Sequence, residues 1–312
     1  MNLDKSKPII ITAGGVYADI DVLACALALK QLYTLNGIKS EIVLGRLNAS
    51  VPKFIKKEKL DFKLKFKGDS SEYNFSIVDI SNYNAIVDFV DLDSVVELYD
   101  HHFGFEEYWE QKLGDKAIIE PVGSCATLVW EQFKKEKKTD KISKLNARLL
   151  GYAIISNTLN FNASVTTQRD KQALQEIIEY ADYEENWKET YFNSVSEFIL
   201  ADPVSALKDD SYTIKIGREE FAIGQLELWD AKDLLDKSEA EIVNFLESYK
   251  LVDYFLTVPS ISEGRNYLLV GSDKVKSLLE KLLGAEFQGN MGKTNQLYLR
   301  KEMLRDLKKE LT

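Results

Sequence analysis

An apolar run too short for a helix opens the chain, Pro8-Ile9-Ile10-Ile11-Thr12, and a glycine turn and a helix-length apolar stretch follow it at once. The turn is Gly14-Gly15 and the stretch is Ile20-Asp21-Val22-Leu23-Ala24-Cys25-Ala26-Leu27-Ala28-Leu29. A continuous apolar run of this length is a strand buried on both faces, and a helix directly after it is the start of a βαβ unit. Further strands are expected at Glu41-Ile42-Val43-Leu44, Phe75-Ser76-Ile77-Val78-Asp79-Ile80, Val95 to Tyr99 and Ala117-Ile118-Ile119-Glu120, with helices at Ser124 to Glu136 and Ser143 to Ser156. The pattern predicts an α/β fold whose mostly parallel sheet carries helices on both faces. Asp79 and Asp100 each end a strand, and Asp19 and Asp21 follow the first, so all four should meet at the carboxyl edge of the sheet, where such folds build their sites.

The texture changes beyond Ala181-Asp182-Tyr183-Glu184-Glu185-Asn186-Trp187, an acidic segment that ends the periodicity before it. Tyr212-Thr213-Ile214-Lys215-Ile216 and Glu220-Phe221-Ala222-Ile223-Gly224-Gln225-Leu226 alternate with a period of two around a Gly217-Arg218-Glu219 turn, which predicts a hairpin. Helices near Ser238 to Lys250 and Lys274 to Leu283, and strands near Tyr254 to Val258 and Asn266 to Val270, complete a smaller mixed α+β domain. The expected division is residues 1–184 and 190–312.

The balance of charges narrows the function. A formal net charge of −10 argues against a nucleic-acid partner, which would need an excess of Lys and Arg against phosphates. A small anionic substrate is still compatible, because a local cluster of cations overrides the average field. The N-terminal MNLDKSKPIIITAGG has too short an apolar core for a secretion signal, and no segment approaches the ~18 apolar residues of a membrane span, so the expected location is cytoplasmic. Cys25 and Cys125 form no metal or disulfide pattern and read as buried apolar residues.

The two histidines of the chain are adjacent, in Tyr99-Asp100-His101-His102-Phe103. Together with Ala18-Asp19-Ile20-Asp21, Val78-Asp79, Glu120-Pro121-Val122-Gly123-Ser124-Cys125-Ala126-Thr127, Ile154-Ile155-Ser156-Asn157-Thr158-Leu159-Asn160-Phe161 and Leu299-Arg300-Lys301, this ordered set resembles the DHH phosphoesterase superfamily. Within it, the chain resembles specifically the family II, manganese-dependent inorganic pyrophosphatases and the related exopolyphosphatases. The segments look like that family's D-x-D, strand-end Asp, DHH, EPVG-x-x-AT, ISDT-L-x-F and Ser-Arg-Lys motifs.

The resemblance implies hydrolysis of a phosphoanhydride, pyrophosphate or short polyphosphate, by water activated between divalent cations in a cleft between two domains. It assigns Asp19, Asp21, Asp79 and His101 as metal ligands, with Asn157 at the position of a further one. Manganese is the expected ion and magnesium or cobalt the alternatives, since carboxylates with an imidazole suit hard cations. Asp100 would orient an imidazole, and His102 would bind phosphate or give a proton to the leaving group. Arg300 and Lys301 would close over the anion from the C-terminal lid domain, and a homodimer is common among similar proteins. Two departures stand out: Gly15 replaces the family's histidine before D-x-D, and Asn157 replaces the bridging Asp of ISDT. These losses leave a second reading, a pseudoenzyme that binds a cation and a phosphate-bearing ligand without turnover. Bland readings of the same residues also stand. Asp19 and Asp21 suit the first turn of a helix, Arg300 and Lys301 suit a solvated helix, and Gly14-Gly15 without a P-loop lysine only weakly suggests a phosphate cradle.

Overall fold

The computed structural model describes residues 6–312. The reading of the N-terminus as no secretion signal begins on residues 1–5 and so lies partly outside them. The chain divides into two compact units, the first made of Met1–Phe161 with Val165–Lys188 and the second of Asn162–Ser164 with Glu189–Thr312.

In the first unit, β1 (Ile9–Thr12), β2 (Ser40–Ile42), β3 (Asn74–Val78), β4 (Val95–Asp100) and β5 (Ala117–Ile119) form a sheet in the order β2-β1-β3-β4-β5. Every pairing is parallel, as the apolar runs predict. All residues of β1 and β3 are buried, which requires cover on both faces. On one face Ile10, Phe75, Ile77 and Leu98 pack with Trp109 of helix α2 (Glu106–Leu113). Helix α1 (Ile20–Leu35) packs on β1 and against α3 (Cys125–Lys135) and α4 (Lys144–Asn157), and α4 packs against α5 (Gln168–Ala181). The low amphipathicity of α1 follows from this sandwiched position: most of its residues, Leu23 to Leu29 among them, are buried. Cys25 and Cys125 are both fully buried, as expected of unpaired apolar cysteines.

The second unit holds helices α6 (Trp187–Ala201) and α7 (Pro203–Asp209), the first of which starts just before the boundary. A mixed sheet follows, built from β6 (Ser211–Ile216), β7 (Glu219–Gln225), β8 (Tyr254–Ser260), β9 (Arg265–Val270), β10 (Glu286–Gln288) and β11 (Met291–Lys293). Its order is β10-β11-β9-β8-β7-β6, antiparallel except where β7 and β8 run together. Helix α8 (Leu234–Glu247) lies between β7 and β8 in the chain, and helices α9 (Asp273–Leu283) and α10 (Arg300–Leu311) cover a core of Phe221, Ile223, Phe255 and Leu268. The α/β unit with a mixed α+β unit after it matches the architecture expected from the sequence. Among the described residues, no helix is long and apolar enough to cross a membrane.

Candidate functional site

Parallel pairing sets Val78 opposite Tyr99, so Asp79 and Asp100 leave the carboxyl edge on neighbouring strands. Asp79 turns away from the strand direction with φ 59, a left-handed conformation that Asp tolerates better than most side chains, while its N–H still donates to Tyr99 O at 2.8 Å. Asp100, the last residue of β4, is fully buried. Its Oδ1 accepts from the backbone N–H groups of His101 (2.7 Å) and His102 (3.1 Å) and from His102 Nδ1 (2.7 Å). One carboxylate oxygen therefore fixes both the turn and the ring of His102, whose side chain is 47% exposed and keeps its Nε2 edge for chemistry.

His101 is held from the other side. Its Nδ1 lies 3.1 Å from the carbonyl of Val122, which can only accept, so Nδ1 carries the proton and Nε2 offers a lone pair. That Nε2 sits 3.2 Å from Asp79 Oδ1, a buried oxygen without a hydrogen-bond partner. A lone pair facing a carboxylate oxygen at this distance is repulsive unless a proton or cation is shared between them. Asp79, His101 and His102 offer ligand atoms that all lie within 4.8 Å of one another. Burial, then the carboxylates of Asp21 and Asp19, push the Asp79 carboxyl well above its ordinary value. Converging like charges of this kind are the electrostatic condition that a divalent cation relieves. One carboxylate and two imidazoles, with further carboxylates nearby, fit a hard ion of the manganese or magnesium kind.

The other expected ligands occupy different surroundings. Asp19 is the N-cap of α1 and accepts from Val22 N at 2.9 Å, the bland role considered for it. Asp21 is fully buried against the N-terminus of α3, where it accepts from Ser124 Oγ, Cys125 N and Ala126 N, each at 2.9 Å, and from Cys25 Sγ at 3.4 Å. These donors do not outweigh burial and the Asp19 charge, which raise its carboxyl to about 6. Asn157 is the last residue of α4 and donates from Nδ2 to Ala153 O at 3.3 Å. Gly15 has φ 63, so a side chain there would be strained.

In the second unit, Arg300 and Lys301 open α10. The Arg300 guanidinium is already engaged: it donates to Asp210 O at 2.7 Å, pairs with the Asp210 carboxylate and lies 5.0 Å from the centre of the Tyr212 ring.

Asp170, which the sequence reading did not single out, shapes the segment that presents Val122 O. It is fully buried and accepts from Gly123 N (2.9 Å), Thr127 Oγ1 (2.6 Å) and Thr167 Oγ1 (2.7 Å). The Thr167-x-x-Asp170 spacing is a capping-box signature and was the available signal. A Cβ on Gly123 would stand 2.5 Å from Thr158 Cγ2, so only glycine lets the segment lie this close to α4.

No protein-family model matches the chain. A probable manganese-dependent inorganic pyrophosphatase of Lactobacillus delbrueckii is 27% identical to it, over 86% of this chain and 87% of that protein. A manganese-dependent inorganic pyrophosphatase of Methanothrix thermoacetophila is 26% identical over 71% of this chain and 72% of its own length. Among solved structures, a putative family II inorganic pyrophosphatase of Methanococcus jannaschii superposes with a TM-score of 0.70 at 21% identity, covering 96% of this chain and 98% of its own. An exopolyphosphatase-related protein of Bacteroides fragilis gives 0.52 at 13% identity, over 98% and 92%. In sequence over most of its length the chain resembles manganese-dependent inorganic pyrophosphatases, and in fold it resembles a family II inorganic pyrophosphatase.

Proposed function

We propose that the protein is a manganese-dependent hydrolase of phosphoanhydrides, acting on pyrophosphate or short polyphosphate. The observation that carries this reading is the buried Asp79 Oδ1, without a hydrogen-bond partner and 3.2 Å from His101 Nε2, inside a cluster of carboxylates. Relatives named as manganese-dependent pyrophosphatases supply the metal and the substrate class. Asp79 and His101 would hold the ion, with Asp19, Asp21 and Asn157 around it, and magnesium or cobalt could replace manganese. When bound, the ion would supply charge neutralisation and acidify water for attack on phosphorus. Asp100 fixes the His102 ring so that its free edge can give a proton to the leaving oxygen. Arg300 and Lys301 are the proposed phosphate ligands of the second unit.

The test is phosphate release from pyrophosphate and tripolyphosphate with manganese, magnesium or cobalt, in the wild type and in His102→Ala. Turnover should require metal and fall about 100-fold in the variant. Manganese binding with no turnover on either substrate would favour the pseudoenzyme, for which the occupied carboxylate of Asp21 and the neutral amide of Asn157 are the supporting observations.

A further inference from the structure

A cavity of about 270 Å³ opens at the carboxyl edge of the first unit's sheet, beside the Gly14-Gly15 turn. It lies where the chain, having placed β2 on one side of β1, crosses to place β3 on the other, the switch point at which such sheets bind ligands. The cavity is close to the carboxylate cluster. Thr12 pairs with Ile77, two residues before Asp79 on the adjacent strand, and a Cβ on Gly14 would stand 2.5 Å from Cδ1 of Ile80, the residue after Asp79.

Its walls differ in chemistry from the cluster. Val43, Val87 and Phe89 line it, and the Phe89 ring is stacked on Phe66 with centroids 4.7 Å apart. Val16 and Leu64 also line it, yet they are 68% and 61% exposed, which leaves aliphatic surface uncovered at the mouth. Arg46 and Lys65 stand in the same lining, and neither forms an ion pair with a described residue. Inorganic pyrophosphate has no apolar atom to bury here. A ligand that joins a flat apolar ring to phosphate satisfies the walls, the aromatic ring and the two cations together.

We propose that this cavity is a nucleoside subsite and that the protein hydrolyses nucleoside diphosphates, with the base against Phe89 and Val43 and the phosphates running past Arg46 and Lys65 toward Asp79. The inference rests on the hydrolase reading above for its chemistry, but not for its binding. Water would form a bond to the terminal phosphorus while the bond from that phosphorus to the bridging oxygen breaks. The nucleoside monophosphate leaves with the bridging oxygen, orthophosphate is the second product, and the proton that His102 gives to the leaving oxygen is replaced from the attacking water.

AMP is the probe for binding, since it carries ring and phosphate but no anhydride to turn over. Calorimetry on the full chain should find AMP bound at least ten times tighter than orthophosphate or adenosine. Val16→Trp, which fills the mouth from an exposed position, and the double variant Arg46→Ala with Lys65→Ala should each weaken AMP at least tenfold, with manganese binding retained as the check on folding. With manganese, the ratio of kcat/KM for ADP over pyrophosphate should fall by a similar factor in Val16→Trp. AMP binding no tighter than orthophosphate, or indifferent to both variants, overturns the subsite. Pyrophosphate turnover without AMP binding sinks the subsite alone, whereas tight, variant-sensitive AMP binding with no turnover of ADP or pyrophosphate sinks the hydrolase alone.

Discussion

Asp21 and Asp79 sit in one carboxylate cluster with their side chains almost wholly out of solvent, but the protein treats them in opposite ways. Asp21 accepts two backbone N–H groups and one hydroxyl at the start of α3, so donors and the helix dipole offset part of the cost of burying its charge. Asp79 Oδ1 has no donor, lies against an imidazole lone pair and is held on a left-handed backbone. A buried charge left without partners is costly enough to be removed by evolution or protonation unless something outside the chain completes it. The contrast separates an acid that builds the fold from one kept for a ligand, although both belong to motifs of similar appearance in the sequence.

The largest effect should come from Asp79→Asn. Manganese affinity and turnover should each fall by about 1,000-fold, on the order of 4 kcal/mol. Stability of the metal-free protein should hold or rise, because a buried carboxyl whose Oδ1 has no donor has been taken away. A metal-free urea midpoint that drops instead would mean that Asp79 has a structural partner, and the contrast with Asp21 would collapse.

Glu97 supplies a buried acid away from the sheet edge, and it tests whether burial alone explains these carboxyls. It is 4% exposed in the middle of β4, accepts from the Tyr33 hydroxyl, and is pushed up to about 7 by burial from an ordinary 4.5. The folded protein therefore holds a proton there that the unfolded chain releases. The stability from neutral Glu97 is complete below about pH 4.5 and is lost as the pH rises through about 7, a change of roughly 3 kcal/mol. Urea midpoints at about pH 5 and pH 8 should move apart less in Glu97→Gln than in the wild type. Equal separation in both would place the pH dependence in the Asp79 cluster instead.

Asp21→Asn should cost about 2 kcal/mol of metal-free stability, because an amide cannot accept from all the donors that converge on it. Its effect on manganese affinity should be smaller than that of Asp79→Asn. Unchanged stability with manganese binding abolished would instead make Asp21 the ligand that its motif implies.

Much of this was legible because it is local. The strands of the first unit are buried on both faces and so read as unbroken apolar runs, and Asp79, Asp100, His101 and His102 follow their strand ends directly. The partners of Asp21 at the start of α3 are more than a hundred residues away, and no period in the sequence carries such a pairing. Asp170 escaped for the same reason, since its bonds to Gly123 and Thr127 cross from α5 to the distant start of α3 and the loop before it. The hairpin of β10 and β11 has three-residue strands, too short for alternation to register. The capture of Arg300 by Asp210 and Tyr212 was hidden likewise, because a basic helix start looks the same whether its guanidinium is free or bound.

The smallest expected effect belongs to Asn157→Asp, and it probes the neutral side of the cluster. The new carboxylate would lie at the C-terminal end of α4, where the helix dipole is unfavourable to negative charge, and the bond from Nδ2 to Ala153 O would be lost. Metal-free stability should fall by about 1 kcal/mol. With manganese present the added charge should raise affinity about tenfold and reverse that loss, since about 1.4 kcal/mol accompanies each factor of ten. Manganese titration of the variant decides between two geometries. A gain places residue 157 beside the ion held by Asp79 and His101, and shows that its amide leaves the natural site weaker than the fold permits. An affinity equal to the wild type, with the stability still lost, would confine the ion to the Asp79 and His101 side and leave Asn157 as the end of a helix.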